Sequence, residues 1–180
     1  MQQLNFPAYK FKLKAEDKRT QIFDAVRKKY VSLTPEEWVR QHVIAFLINE
    51  KGFPASLIAV EVSLNRGTKK QRADIVIYTN DGKPRMIVEC KAPEVKITQD
   101  VFFQIARYNA PLKMNYLLVT NGLQHFCCKM EYENGEHVFL KEVPMYGELI
   151  WLLTIYVGFC IPKADLYFFS IDLCSISMHK

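Results

Sequence analysis

Along "TPEEWVRQHVIAFLINEKG", residues 34–52, the apolar residues Val39, Val43, Phe46, Leu47 and Ile48 recur at close to helical spacing, which predicts a helix with one buried side. Thr34 supplies an N-cap, Pro35 suits the first helical position, Glu37 completes a capping box and Gly52 marks the stop. A strand pattern then takes over. "IAVEVSLN" (58–65) and "ADIVIY" (73–78) read as strands separated by a loop, "RGTKKQR" (66–72). The turn "TNDGKP" (79–84), with its Asp-Gly hairpin signal, leads into the strand "RMIVECK". "TQDVFFQIARYN" (98–109) reads as a second helix, capped by Thr98 and stopped by Pro111. The strand "NYLLVT" (115–120) follows, and "LQHFCCKMEY" and "EHVFLKEV" flank an Asn134-Gly135 turn.

That order predicts an α/β domain in which one mixed β-sheet is flanked by helices. The ends are less regular. Residues 1–33 are basic and aromatic, and "YKFKLK" (9–14) alternates as a half-exposed strand would. Its lysines suit either a solvated sheet edge or a contact to nucleic acid. From Gly147 onward the chain is densely apolar without a readable period. The run "ELIWLLTIYVGFCIP" is shorter than the roughly 20 residues of a spanning helix, so no membrane segment is expected. The expected division is a domain over residues 1–146 and an apolar C-terminal tail, 147–180, of unassigned role.

The stretch "MIVECKAPE" carries the candidate chemistry. Strand alternation puts Ile87, Glu89 and Lys91 on one face and Met86, Val88 and Cys90 on the other. Asp74, expected near the start of the preceding strand on the face of Val76 and Tyr78, is brought beside Glu89 and Lys91 by the hairpin. Two carboxylates so close repel each other, and Lys91 offsets only part of that. A hard divalent cation such as Mg²⁺ resolves it, held by Asp74 and Glu89. Such an ion polarises a phosphodiester and activates water, while Lys91 serves the water or the phosphate oxygens. An exposed cross-strand ion pair, worth well under about 1 kcal/mol, explains the same three residues without any chemistry.

Composition narrows the setting. The chain has 180 residues, 49% of them hydrophobic, enough for one sizeable core. A net charge of +5 suits a phosphate-bearing partner without demanding one. The five cysteines (Cys90, Cys127, Cys128, Cys160, Cys174) are odd in number and show no CxxC spacing, which argues against a zinc or disulfide framework. With no apolar leader at the N-terminus, a reducing, cytoplasmic location is expected. His42, His125, His137 and His179 have no nucleophile or metal-spaced neighbour.

An acid on one strand, a hairpin, E-x-K on the next and a helix carrying Gln104 and Tyr108 as Q-x-x-x-Y resemble the PD-(D/E)xK nuclease superfamily. The longer runs "LTPEEWVRQHVIAFLI", "RADIVIY", "IVECKAPEVKITQDVFFQIARYN" and "YLLVTNG" resemble the N-terminal nuclease domain of type I restriction enzyme R subunits, over about Leu4 to Tyr146. The resemblance implies a restriction-endonuclease-like fold and Mg²⁺-dependent, or Mn²⁺-dependent, hydrolysis of DNA. Asp74 and Glu89 match its metal-binding acids, Lys91 its catalytic lysine, and the Cys90 carbonyl a further metal ligand. Gln104 and Tyr108 match residues beside the active site, and Glu37 is the candidate acid on the first helix. The Pro of the superfamily's name is Ala73 here. The P-loop pattern GxxxxGK[ST] of the R subunit's motor is absent from these residues, so a stand-alone nuclease-like protein, a piece of a longer chain or a subunit working with others is expected. The alternatives are a non-catalytic DNA-binding or assembly module, and a structural domain without a nucleic-acid role. Cutting both strands would need two sites or two encounters, which leaves an oligomer open.

Overall fold

The computed structural model describes residues 1–16, 19–66, 69–132 and 136–149. Six strands, β4 (Ile58–Arg66), β5 (Lys69–Tyr78), β6 (Pro84–Cys90), β7 (Tyr116–Thr120), β8 (His125–Glu131) and β9 (Glu136–Leu140), form one sheet in chain order. Ahead of them lie helix α1 (Pro35–Asn49) and a separate three-stranded meander of β1 (Leu13–Glu16), β2 (Arg19–Asp24) and β3 (Lys29–Ser32). Strands β6 and β7 run parallel, and their crossover carries α2 (Gln99–Asn109). The other neighbouring pairs of the large sheet are antiparallel. This is the mixed sheet with flanking helices that the sequence predicts.

Each helix begins where its cap dictates. The Thr34 hydroxyl accepts the Glu37 amide at 3.1 Å, and the Thr98 hydroxyl accepts the Val101 amide at 3.3 Å. The two helices cover opposite faces of the sheet. On one face Val39, Val43, Ile44 and Leu47 of α1 pack with Ile75, Ile77, Met86, Val88 and Cys90. On the other, Phe102 and Ala106 of α2 pack with Ala73, Val76, Ile87, Leu117 and Val119. Strand β6 is therefore apolar on both sides, and each fully buried aliphatic side chain contributes about 1.5–3 kcal/mol. At the β5–β6 turn Gly82 takes φ +77°, a conformation that suits glycine. That turn sets Ile77 opposite Met86 and Ile75 opposite Val88.

Two expectations are corrected. Most of the stretch assigned to a loop, 66–72, belongs to the long β4–β5 hairpin, with Arg66 in β4 and Lys69–Arg72 in β5. Ladder hydrogen bonds need only backbone, so a charged hairpin forms without an apolar alternation. Asp74 consequently sits in mid-strand. Within 9–14, strand begins only at Leu13, and the meander that it opens was not foreseen, since β1 is exposed throughout and buries nothing to make its period visible. The hairpin tip, residues 67–68, the Asn134-Gly135 turn and the tail from residue 150 fall outside the described residues. Among the described residues no helix is long and apolar enough to cross a membrane.

Candidate active site

The β5–β6 register, continued from Ile75–Val88 and Val76–Ile87, sets Asp74 across from Glu89. Strict alternation slips there. Ala73 and Val76, three residues apart, both join the α2-side core, and on the adjoining strand Glu61 takes φ +54° between the paired residues Val60 and Val62. Asp74 is thereby shared between the two faces rather than confined to that of Val76 and Tyr78. Its Oδ1 accepts from Arg40 Nη2 at 2.7 Å and its Oδ2 from the Cys90 amide at 2.8 Å. It also stands close enough to Glu89 to disfavour that carboxyl's charge.

Glu89 and Lys91 open into a cleft of about 310 Å³ lined by Arg72, Glu89, Lys91, Val101, Gln104, Ile105 and Asn109. Burial first, and Asp74 second, push the Glu89 carboxyl up to about 7, while Lys91 and a hydrogen bond from Asn109 work in the opposite direction. Gln104 of the Q-x-x-x-Y pattern lines this cleft. Tyr108 is on the same helix, but its side chain falls outside the described residues. Cys90 is fully buried in the α1-side core, and burial raises its thiol well above the usual range, so its side chain is a small hydrophobe. Arg72 is exposed and pairs with Glu61 at 3.3 Å. The side chains of Arg66, Lys69, Lys70 and Gln71 fall outside the described residues.

Glu37 does not play the part that its capping-box spacing suggests. The Thr34 half of the box forms, but the Glu37 carboxylate binds Arg27 at 2.7 Å, Gln41 at 2.8 Å and Arg40. The reason is burial: Glu37 is 5% exposed, and a buried carboxylate needs cationic partners more than it needs one backbone amide. It stands one residue removed from Asp74, through Arg40. Burial opposes the charge on Arg40, yet Asp74 and Glu37 outweigh it and raise its pKa above the ordinary arginine value. Arg27 ties Glu37 to Asp24 and to Glu61, at 2.6 and 2.7 Å respectively.

The family model described as type I restriction enzyme R protein N terminus (HSDR_N) matches residues 35–144. The chain belongs to this family. No curated protein matches it. A solved fragment assigned as an HsdR subunit of a type I restriction enzyme from Vibrio vulnificus YJ016 is 24% identical, with a TM-score of 0.49 over 67% of this chain and 25% of that one. This chain therefore spans a quarter of that relative.

The stretch matching the R-protein N-terminal family runs from the first residue of α1 to just beyond β9 and contains Glu37, Asp74, Glu89, Cys90, Lys91, Gln104 and Tyr108. It also contains two residues that sequence reasoning passed over. Arg40 holds Asp74, and Asn109 holds Glu89. A signal for Arg40 existed, since Glu36, Glu37, Arg40 and Gln41 share one polar helix face at i, i+3 and i, i+4. Among the described residues no group of three or more His, Cys, Asp or Glu side chains is arranged to hold a metal ion. A carboxylate pair is what the site offers. Each carboxylate oxygen has two acceptor positions, so Asp74 keeps capacity beyond Arg40 and Cys90. Burial and the neighbouring Asp74 both disfavour charge on Glu89, and a bound cation would favour it. This donor set fits a hard divalent cation.

Proposed function

We propose that this restriction R-protein-type module hydrolyses DNA phosphodiester bonds in a metal-dependent reaction. The observation that carries the reading is the meeting of Asp74 with Glu89, which lines a cleft together with Lys91 and Gln104. Asp74, Glu89 and the carbonyl of Cys90 would hold Mg²⁺ or Mn²⁺. When bound, that ion supplies neutralisation of phosphate charge and activation of water. Arg40 and the Cys90 amide keep the Asp74 carboxylate in one orientation. Asn109 does the same for Glu89. The Lys91 ammonium donates to the attacking water or to a phosphate oxygen. Gln104 borders the cleft and contacts the substrate strand, with Tyr108 one turn further along α2. Glu37 acts through Arg40 as a positioning residue.

DNA and other restriction-system subunits are the proposed partners, in the cytoplasm, where the buried free thiols of Cys90, Cys127 and Cys128 stay reduced. A second reading, a binding or assembly module without cleavage, is favoured by one observation. Arg40 already neutralises Asp74 at 2.7 Å, which weakens its pull on a cation. Incubation of supercoiled and linear DNA with Mg²⁺, against EDTA and against Lys91→Ala, decides between them. Metal-dependent cutting lost in the variant supports the nuclease. DNA bound but left whole by both proteins overturns it.

A further inference from the structure

The β1–β3 meander precedes the stretch that matches the family and has no part in the cleft. Its two faces differ in character. One carries Ile22 and Asp24, both fully buried, and Asp24 is fixed by Arg27 at 2.6 Å and Gln41 at 2.9 Å. That face is anchored to the body of the protein. The register puts Phe23 opposite Tyr30 and Gln21 between Lys14 and Ser32 on the other face, with Arg19 paired to Glu16. The rings of Phe23 and Tyr30 meet edge to face at 5.3 Å. Tyr30 is 42% exposed, and Lys12 Nζ stands 5.7 Å from the Phe23 ring centre. Lys12, Lys14 and Arg19 are exposed on this face and Lys28 is exposed at the β2–β3 turn, while Lys29, paired with Asp24, belongs to the anchored face. Among the described residues, Glu16 on this face is engaged by Lys14 at 3.2 Å in a surface ion pair, which contributes little and exchanges readily for a phosphate.

We propose that this face is a docking platform for single-stranded nucleic acid, with Tyr30 and Phe23 offering stacking surface to bases and Lys12, Lys14 and Arg19 following the phosphates. An antiparallel sheet with aromatic side chains at its centre and cations around them is a physical solution to holding an unpaired strand. Bases in a duplex are already stacked and cannot lie on Tyr30, so the aromatic pair favours an unpaired strand over a duplex. Lysines placed only to guard a sheet edge against aggregation would have no need of an exposed ring between them. The inference goes beyond cleavage and does not depend on it, because binding is measurable with the metal removed.

The test uses the whole chain in EDTA, so that nothing is cut. A fluorescently labelled oligothymidylate of about a dozen nucleotides, within the reach of one such sheet, is titrated by anisotropy at two salt concentrations beside a duplex of equal length. Tyr30→Leu keeps bulk against Phe23 but removes the π-face, and is expected to weaken oligothymidylate binding about tenfold. Tyr30→Trp should restore it. Replacing Lys12 and Lys14 by alanine should flatten the salt dependence, and duplex binding should be weaker and indifferent to Tyr30→Leu. The proposal is overturned if a folded Tyr30→Leu, checked by circular dichroism, binds as wild type does. It is equally overturned if the duplex binds as tightly as the single strand, or if oligothymidylate is not bound at low salt. Should Tyr30→Leu fail to fold, Tyr30→Trp against Lys12→Glu decides: the first retaining binding and the second losing it supports the platform, and any other result overturns it.

Discussion

Arg40 of α1 and Asp74 of β5 are 34 residues apart in the chain and joined by a 2.7 Å hydrogen-bonded ion pair. The guanidinium is 5% exposed and also holds Glu37. Replacing it by methionine keeps most of the stem's packing but leaves the partly buried Asp74 without its cation and takes one of two cations from the buried Glu37. We predict that Arg40→Met lowers stability by about 3–5 kcal/mol, read as a fall in the urea midpoint. Arg40→Lys should recover only part of this, since one ammonium cannot replace the guanidinium fork.

His42 gives a pH dependence of known sign. Burial lowers its pKa below 6.5, against a hydrogen bond to the Trp38 carbonyl that raises it. The unfolded chain therefore binds the proton more readily, and the stability contributed by neutral His42 is complete above pH 6.5 and is lost as pH falls through the folded value. Glu89, raised to about 7, acts in the opposite sense over part of the same range. The measurement is thus a difference: relative to His42→Phe, wild type should lose denaturant stability as the pH drops below 6.5.

Gly122 is closed to larger residues on two counts. Its φ is +82°, and a Cβ there would stand 2.8 Å from Leu4 Cδ2 and 3.2 Å from Val39 Cγ2. Gly122→Ala should cost about 1–3 kcal/mol. Because the Gly122 carbonyl accepts the Asn5 amide at 2.7 Å, the same change should speed hydrogen exchange at Asn5.

Asn109 works against burial and Asp74 at the Glu89 carboxyl. Asn109→Leu removes that donor and should move the Glu89 titration further upward. Carbon-detected NMR of the side-chain carboxyl without metal would show it, and an unchanged titration would rule Asn109 out as a holder of Glu89.

The heart of the site was legible because a local rule generates it. An Asp-Gly turn sets the register of "RADIVIY" against "MIVECK", so Asp74 could be set across from Glu89 on paper, while the slip in alternation at Asp74 has no signal in a two-residue period. Q-x-x-x-Y likewise placed Gln104 at the cleft. Arg40 and Glu37 were harder. Their partners, Arg27, Glu61 and Asp74, come from three separate segments, and no periodicity encodes which acid a buried arginine will choose. Short exposed strands such as β1 bury nothing, and the charged β4–β5 hairpin resembles a loop in any hydropathy pattern.

The seven residues lining the cleft all fall between Arg72 and Asn109, one hairpin and one crossover helix. Contacts so near in sequence close at little entropic cost and can form early in folding. Arg40 reaches Asp74 only once α1 has docked against the sheet. A partly folded chain would hold the carboxylate pair without its counter-charge, and Asp74 and Glu89 would drive each other apart. The docking of α1 thus ties the charge balance of the two acids to tertiary packing and not to the hairpin alone.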